Sequence, residues 1–133
     1  MYNVHQRVAG GFAVGRIALA GDSAHINNPI GGMGMNSGFQ DGLNLADKLA
    51  AIWNGADPEP LLARYDRQRR LTAIEYVQAQ SIANKRTLEE RDPKVRQANL
   101  DNLRRMADDP AAHREFVLRS SLIAMRRRAE EIE

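Results

Sequence analysis

Residues 15–36, GRIALAGDSAHINNPIGGMGMN, decide the fold of this chain. The stretch opens with a short apolar run, Arg16-Ile-Ala-Leu-Ala20, which glycines bound on both sides and which is too short to form a helix. Such a run predicts a strand that is buried on both faces, as in a parallel sheet. Residues 1–14 show no clear period and no other segment predicts a strand, so we expect its partner strands to come from outside these 133 residues.

A glycine-rich loop follows the predicted strand. Gly21-Asp22 places a carboxylate at the end of the strand, and the loop glycines remove side chains where the backbone comes close to another group. A helix that begins at about Asn36 would direct several unpaired amides, at the positive end of its dipole, towards the space in front of the loop. The sequence therefore predicts a cradle for an anion or a cofactor. The loop glycines are Gly31, Gly32 and Gly34.

The rest of the sequence predicts helices. Between residues 36 and 53, apolar side chains recur at intervals of three and four, which is typical of an amphipathic helix. The dipeptide Asp-Pro then occurs three times, and each pair predicts a helix start, because aspartate caps free amides and proline suits the first helical position. Three further helices are predicted, over residues 58–90, 93–107 and 110–131. The apolar positions of the first helix are Phe39, Leu43, Ala46, Leu49, Ala50 and Trp53, and the Asp-Pro pairs begin at Asp57, Asp92 and Asp109.

The predicted fold is mainly α, with one short strand and a glycine-rich loop followed by about four helices. A chain of 133 residues has room for one domain with a modest core. We therefore expect a single domain or a fragment, in which residues 1–36 form the lead-in, strand and loop and residues 37–133 form the helical region.

Composition narrows the function classes. Lysine and arginine exceed aspartate and glutamate by only two, which argues against electrostatic binding of nucleic acid. The absence of cysteine excludes disulfides, thiolate metal sites and a cysteine nucleophile, and it suits the cytoplasm, where we expect this protein. No apolar run approaches the ~20 residues that span a bilayer, and the first residues lack the pattern of a signal peptide, so no membrane span is expected.

At the level of individual residues, this stretch resembles the second FAD-binding motif of the flavin-dependent aromatic hydroxylases, the para-hydroxybenzoate hydroxylase type. The resemblance is specific over about residues 15–53 and weaker in the helices that follow. It implies the C-terminal portion of an FAD-dependent monooxygenase that uses NAD(P)H and O2 to hydroxylate an aromatic small molecule. The matching positions are the strand, Gly21-Asp22, Ala24-His25, Pro29, Gly31-Gly32, Gly34-Met35-Asn36, and Asp41, Asn44, Leu45, Lys48 and Leu49 in the helix.

The resemblance also implies roles for individual residues. The carboxylate of Asp22 would hydrogen-bond the ribityl chain of FAD, beside Gly21. Backbone amides of Gly34, Met35 and Asn36, in the turn that contains Gly32, would bind N1 and the C2 carbonyl of the isoalloxazine. Amides at a helix start stabilise the negative charge that a reduced flavin carries there. Pro29 would stiffen the loop over the ring, where substrate and oxygen react, and is the predicted catalytic position.

The chain departs from that family in two respects. It has no G-x-G-x-x-G turn for the pyrophosphate, because the third glycine position after Gly32 and Gly34 is Ser37, and it has no substrate-binding sheet. We therefore expect it to bind FAD weakly or not at all by itself, and to lack an N-terminal Rossmann portion. The alternative is a non-enzymatic helical module that self-associates or binds a partner chain through exposed apolar surface.

Several residues have simpler interpretations. His25 lies three residues after Asp22, but two ligands without a third make a metal pair a poor interpretation, and we expect a structural hydrogen bond near the flavin. Aromatic side chains at helical spacing are expected in the core. Two arginine-rich runs, residues 67–70 and 126–128, are expected to lie on a solvated face. The aromatic residues are Trp53, Tyr65 and Tyr76.

Overall fold

In the computed structural model, which describes residues 5–133, four short strands precede a series of helices. A 3-10 turn at Gly21–Ser23 joins the third and fourth strands, and a π-helical segment at Ala73–Gln78 joins the second and third helices. The strands are β1 (Arg7–Val8), β2 (Ala13–Val14), β3 (Ile17–Ala18) and β4 (His25–Ile26). The helices are α1 (Met33–Trp53), α2 (Pro58–Thr72), α3 (Ala79–Glu89), α4 (Pro93–Asp108), α5 (Pro110–Ser120) and α6 (Ile123–Glu131).

The strand prediction was correct in position but wrong in its pairing. β3 pairs antiparallel with β2, so that Val14 lies opposite Ile17, and β1 pairs antiparallel with β4. Gly15, at φ 58°, permits the tight hairpin between β2 and β3. Ile17 is 71% exposed, so the strand is not buried on both faces. The partner of the predicted strand is thus Ala13–Val14, in a segment in which the sequence predicted no strand.

The three predicted helix starts at Asp-Pro are confirmed. The side chains of Asp57, Asp92 and Asp109 each accept a hydrogen bond from the amide two residues later, and proline opens the helix. The predicted helix over residues 58–90 is a continuous helical run to Glu89, although its π-helical segment was not predicted.

The predicted helix over residues 110–131 is interrupted, and the prediction of about four helices was therefore too low. Leu122 adopts a left-handed conformation at φ 60° and separates α5 from α6. This conformation is unfavourable for a residue with a side chain. Leu122 is only 1% exposed, and its carbonyl accepts a hydrogen bond from Gln40 Nε2 at 3.1 Å. Burial and this hydrogen bond offset the cost of the conformation.

Helix α1 begins three residues earlier than predicted and buries a different face. Its buried side chains include Asp41 and Lys48, whereas the predicted apolar face is exposed and Trp53 is 91% accessible. The expectation that Trp53 lies in the core is therefore wrong, and the same expectation for Tyr65 is confirmed. Exposed large side chains on this face are Met35, Phe39, Leu43, Leu49 and Trp53, which we call the apolar stripe of α1.

The core consists of two apolar clusters. The first joins Phe12 and Ala24 in the strand region to Tyr65 and Ala73 in the long helical run. The second joins the start of α1 to the α5–α6 break and contains Met33, Val77, Leu122 and Met125. Both clusters lie against the segment between β3 and α1 and so position it. Within residues 5–133 no helix combines the length and apolar character needed to cross a membrane.

Replacing Tyr65 with phenylalanine tests how the strand region is held. The Tyr65 hydroxyl donates to the Leu19 carbonyl at 2.6 Å, and burial, followed by the nearby Asp41 charge, raises the pKa of Tyr65. Above about pH 10 the unfolded chain loses this proton while the folded chain keeps it, so the free energy of unfolding falls.

Urea unfolding of Tyr65→Phe between pH 7 and 11 should show a loss of about 1 kcal/mol at pH 7 and a smaller decline above about pH 10. A Tyr76→Phe control keeps Tyr65 and should retain the decline. An identical alkaline decline in Tyr65→Phe would contradict this explanation.

Candidate functional site

The Gly21–Ser23 turn presents Asp22 to solvent. Gly21 adopts φ 61°, which favours glycine, and its amide donates to Asp41 Oδ2 at 3.0 Å. Ser23 Oγ donates to the Ala20 carbonyl at 2.8 Å and closes the turn. The backbone of the turn is therefore held at both ends, and Asp22 is exposed between them.

The buried carboxylate of Asp41 binds three separate segments. Besides the Gly21 amide, it lies 2.7 Å from His25 Nε2 and 2.7 Å from Arg69 Nε. The exposed fractions are 0% for Asp41, 1% for Arg69 and 3% for His25. An ionised carboxylate can only accept, so Nε2 of His25 donates this bond. The cluster thus ties the strand region, the turn and α2 to α1 through one charged group.

Glycines on α1 let the turn and the loop pack directly on the helix backbone. A Cβ atom built on Gly38 would lie 3.2 Å from Gly21 Cα, and one built on Gly34 would lie 2.9 Å from Asn27 Oδ1. Gly34 and Gly38 are four residues apart, about 6 Å along the helix axis, and share a face. The Asp22 turn is therefore anchored on the first turns of α1, next to the helix start.

The start of α1 leaves backbone amides available. Gly32 is the N-cap, at φ 63°, so the amides of Gly34 and Met35 lie in the first turn, which has no intrahelical acceptor. Asn36 occupies the position whose amide bonds back to the Gly32 carbonyl in a regular helix, and its side chain Nδ2 donates to that carbonyl at 3.2 Å. Nothing lies within 4 Å of a Cβ built on Gly32, so the backbone is open there.

The loop before α1 is fixed by amide side chains. Asn28 is buried, and its Oδ1 accepts from the Ile30 amide at 3.1 Å. Asn27 Nδ2 donates to Ser81 Oγ at 3.3 Å, which ties the loop to α3. Pro29 is exposed within this loop. The loop thus keeps its shape through contacts on its inner side and leaves its outer side accessible.

The predicted site residues fall into two neighbouring groups. Gly21 and Asp22 form the turn, while Gly32, Gly34 and Met35 form the helix start beside it; Asn36 and Pro29 flank that start. An exposed carboxylate on the turn and free amides at the positive end of the helix that the turn contacts are chemically suited to a ligand that has hydroxyl groups and an electron-rich edge. The role of each residue remains a prediction.

The sequence analysis missed the buried network that holds these groups. The expectation that residues 67–70 lie on a solvated face is wrong for Gln68 and Arg69, which are buried. Arg126 and Arg127 do lie exposed. The signal that could have identified the network is the spacing of Gly34, Gly38 and Asp41, which places small residues and one acid on a single helix face. The hydrogen-bonding role predicted for His25 is confirmed by its contact with Asp41.

Comparisons with known proteins support the predicted resemblance. A family model described as FAD binding domain matches residues 1–80. The chain is 36% identical to para-nitrophenol 4-monooxygenase from Pseudomonas sp. strain WBC-3, over 88% of this chain and 29% of that protein. It is 42% identical to 3-(3-hydroxy-phenyl)propionate/3-hydroxycinnamic acid hydroxylase from Mycolicibacterium vanbaalenii, over 64% of this chain and 15% of that protein.

A solved structure is similar as well. The crystal structure of p-nitrophenol 4-monooxygenase from Pseudomonas putida DLL-E4 superposes with a TM-score of 0.81 and 36% identity, over 90% of this chain and 31% of that chain. The chain therefore spans less than a third of the length of each of these three proteins.

Asp41→Asn tests the buried network. Removing the negative charge leaves Arg69 buried without its counter-ion, which should cost about 3–5 kcal/mol of unfolding free energy. Glu130→Gln is the control, because its pair with Arg126 is exposed and should contribute at most about 1 kcal/mol. Urea unfolding measures both, and equal losses in the two variants would disprove a central role for Asp41.

A pair of glycine substitutions on α1 tests the close approach of the turn. Gly42→Ala meets nothing within 4 Å and should stabilise the helix by about 0.5–1 kcal/mol. Gly38→Ala meets Gly21 Cα at 3.2 Å, so the turn has to move and the same gain should be lost or reversed. Thermal unfolding of the two variants compares them directly, and equal stabilisation would show that the turn does not pack on Gly38.

Proposed function

The chain belongs to the FAD binding domain family, whose matched relatives include flavin-dependent monooxygenases, and from this premise we propose that it supplies the isoalloxazine- and ribityl-binding part of an aromatic hydroxylase. The observation that carries this proposal is the anchoring of the Asp22 turn on the first turns of α1, beside free amides. These two groups are the ones that a flavin's sugar-alcohol chain and polar ring edge require.

Each group would bind a different part of the cofactor. The Asp22 carboxylate would accept hydrogen bonds from ribityl hydroxyls, and bonds to a charged acceptor are stronger than bonds between neutral groups. The amides of Gly34 and Met35 would donate to N1 and the C2 carbonyl, where the helix dipole favours negative charge. Bound FAD supplies the redox chemistry with NAD(P)H and O2. Pro29 would restrict the loop and so keep its outer surface in place beside the ring.

The proposed site is one half of a complete FAD site. The adenine and pyrophosphate of FAD need a glycine-rich Rossmann turn, and the sequence contains no G-x-G-x-x-G. We propose that the apolar stripe of α1 is covered by such a dinucleotide-binding portion, since the stripe begins at Met35, beside the proposed flavin contacts. A stripe of five exposed large apolar side chains exceeds the scattered exposure that is normal on a monomer surface.

The same stripe favours a second candidate function. A helical module that self-associates would bury Phe39 and Trp53 against a second copy of the chain. Such an assembly would be colourless and well defined in size, and it would not depend on flavin. Light scattering together with flavin absorbance distinguishes this candidate from the flavin-binding half-site.

Titration with riboflavin, FAD and ADP tests the half-site. If the chain contacts only the ring and ribityl chain, riboflavin and FAD should bind weakly and with affinities within about threefold, while ADP should not compete. Asp22→Ala should weaken riboflavin binding about tenfold or more, because it removes hydrogen bonds to a charged acceptor. The matched control is Asp108→Ala, which removes an exposed carboxylate at the end of α4.

Two results would overturn the proposal. Stoichiometric retention of FAD through gel filtration would show that the chain holds the whole cofactor by itself. Competition by ADP, or riboflavin binding that is unchanged by Asp22→Ala, would place flavin elsewhere on the chain.

A further inference from the structure

Helix α1 ends at the dipeptide Asn54-Gly55, which occurs once in the sequence. Both residues are exposed, and the neighbouring Trp53 is 91% exposed. When glycine follows asparagine, the glycine amide nitrogen can reach the asparagine side-chain carbon easily, because glycine has no Cβ that obstructs the approach. The dipeptide is therefore a candidate site for chemical modification of the chain.

Both groups that would react are hydrogen-bonded to the last turn of α1. Asn54 Nδ2 donates to the Ala50 carbonyl at 2.9 Å, and the Gly55 amide donates to the Ile52 carbonyl at 3.0 Å. Gly55 adopts φ 96°, a conformation that favours glycine at the end of a helix. While these bonds persist, the Gly55 nitrogen is held towards Ile52, and the side chain of Asn54 is held towards Ala50.

Little packing opposes the opening of this turn. Residues 53–57 are all exposed, and the last buried residue of α1 is Lys48. Exposed helix ends open at a far smaller cost in free energy than the interior of a fold, in which opening requires global unfolding. Opening of the last turn alone would release both the Asn54 side chain and the Gly55 amide.

We propose that Asn54 is a deamidation site of the folded chain and that opening of the last turn of α1 controls the rate. In the open turn, the Gly55 amide nitrogen loses its proton to hydroxide and bonds to Asn54 Cγ. The bond between Cγ and Nδ2 breaks, ammonia leaves, and a succinimide ring forms. Water then opens the ring at either carbonyl and yields aspartate or isoaspartate. The net reaction consumes one water and releases one ammonia, with no oxidation or reduction.

Either product changes the end of the apolar stripe of α1. A carboxylate appears beside Trp53, at the negative end of the helix dipole, where a negative charge is unfavourable. Isoaspartate also directs the main chain through the former side chain, which disrupts the bonds that close the turn. Burial of this end of the stripe against another surface would become more costly, because the new charge resists desolvation. The change is irreversible, so the modified fraction grows with the age of the chain.

Incubation of the full chain at pH 7 and pH 9 tests the assignment. Trypsin places Asn54 in the peptide of residues 49–64 and Asn102 in the peptide of residues 97–104, so mass spectrometry follows them separately. Asn102 is also exposed, but Leu103 follows it. Asn54 should convert at least about tenfold faster than Asn102, because glycine leaves the attacking nitrogen unobstructed. The rate should rise with pH, because the attacking amide must lose a proton.

Two results of this incubation would overturn the assignment. The first is equal conversion of the two asparagines, and the second is an Asn54 that stays unchanged.

A matched pair of substitutions tests the control by the last turn. Ala50 and Ala46 are both exposed and lie four residues apart on α1. Ala50→Gly weakens the last turn and should accelerate Asn54 conversion about fivefold, whereas Ala46→Gly weakens the helix interior and should not accelerate it. Equal acceleration in the two variants would show that the reaction follows global unfolding, and no acceleration by Ala50→Gly would show that the turn does not limit it. Either result would contradict the proposal.

Discussion

The buried carboxylate of Asp41 is the interaction on which the rest of the site depends. It accepts from Gly21, His25 and Arg69, which belong to three different segments. Burying an unpaired charge at 0% exposure would cost more free energy than the fold can supply. The donors that surround Asp41 are therefore required for folding. One of these donors is the Gly21 amide. The same hydrogen bonds that allow α1 to pack therefore also fix the turn that carries Asp22.

This constraint explains why α1 buries polar residues and exposes apolar ones. Lys48 is nearly buried on the same face, and its ammonium donates to Asn44 Oδ1 and Gln68 Oε1, each at 2.8 Å. Burial, with Arg64 nearby, lowers the pKa of Lys48, because the charged form is poorly hydrated there. A helix whose interior face is polar and whose stripe is apolar has a second packing surface. That property is understandable if the helix lies between this core and another portion of a larger enzyme, as we propose.

The helix starts could be predicted from the sequence because they depend on neighbouring residues. Features that depend on partners distant in the sequence could not be predicted. Each Asp-Pro pair specifies a helix start through groups within three residues, and all three starts were found. The left-handed Leu122 and the buried Arg69 contradict local rules, because their costs are offset by partners that are distant in sequence, Gln40 and Asp41. The hairpin of β2 and β3 was missed because strands of two residues are too short to show a period.

The loop of residues 27–32 packs against α3 on one surface and faces open space at the start of α1 on the other. Its glycines suit both surfaces. On the α3 side, a Cβ atom on Gly31 would lie 2.6 Å from Asn84 Nδ2, so Asn84 would have to move, and the φ of 103° itself favours glycine. At the start of α1, Gly32 leaves open space in front of free amides. A loop that is held on one surface and open on the other can present free amides to a ligand with little backbone adjustment. If flavin binds where we propose, this loop fixes the position of the free amides relative to α3, through the close approach of Asn84 to Gly31.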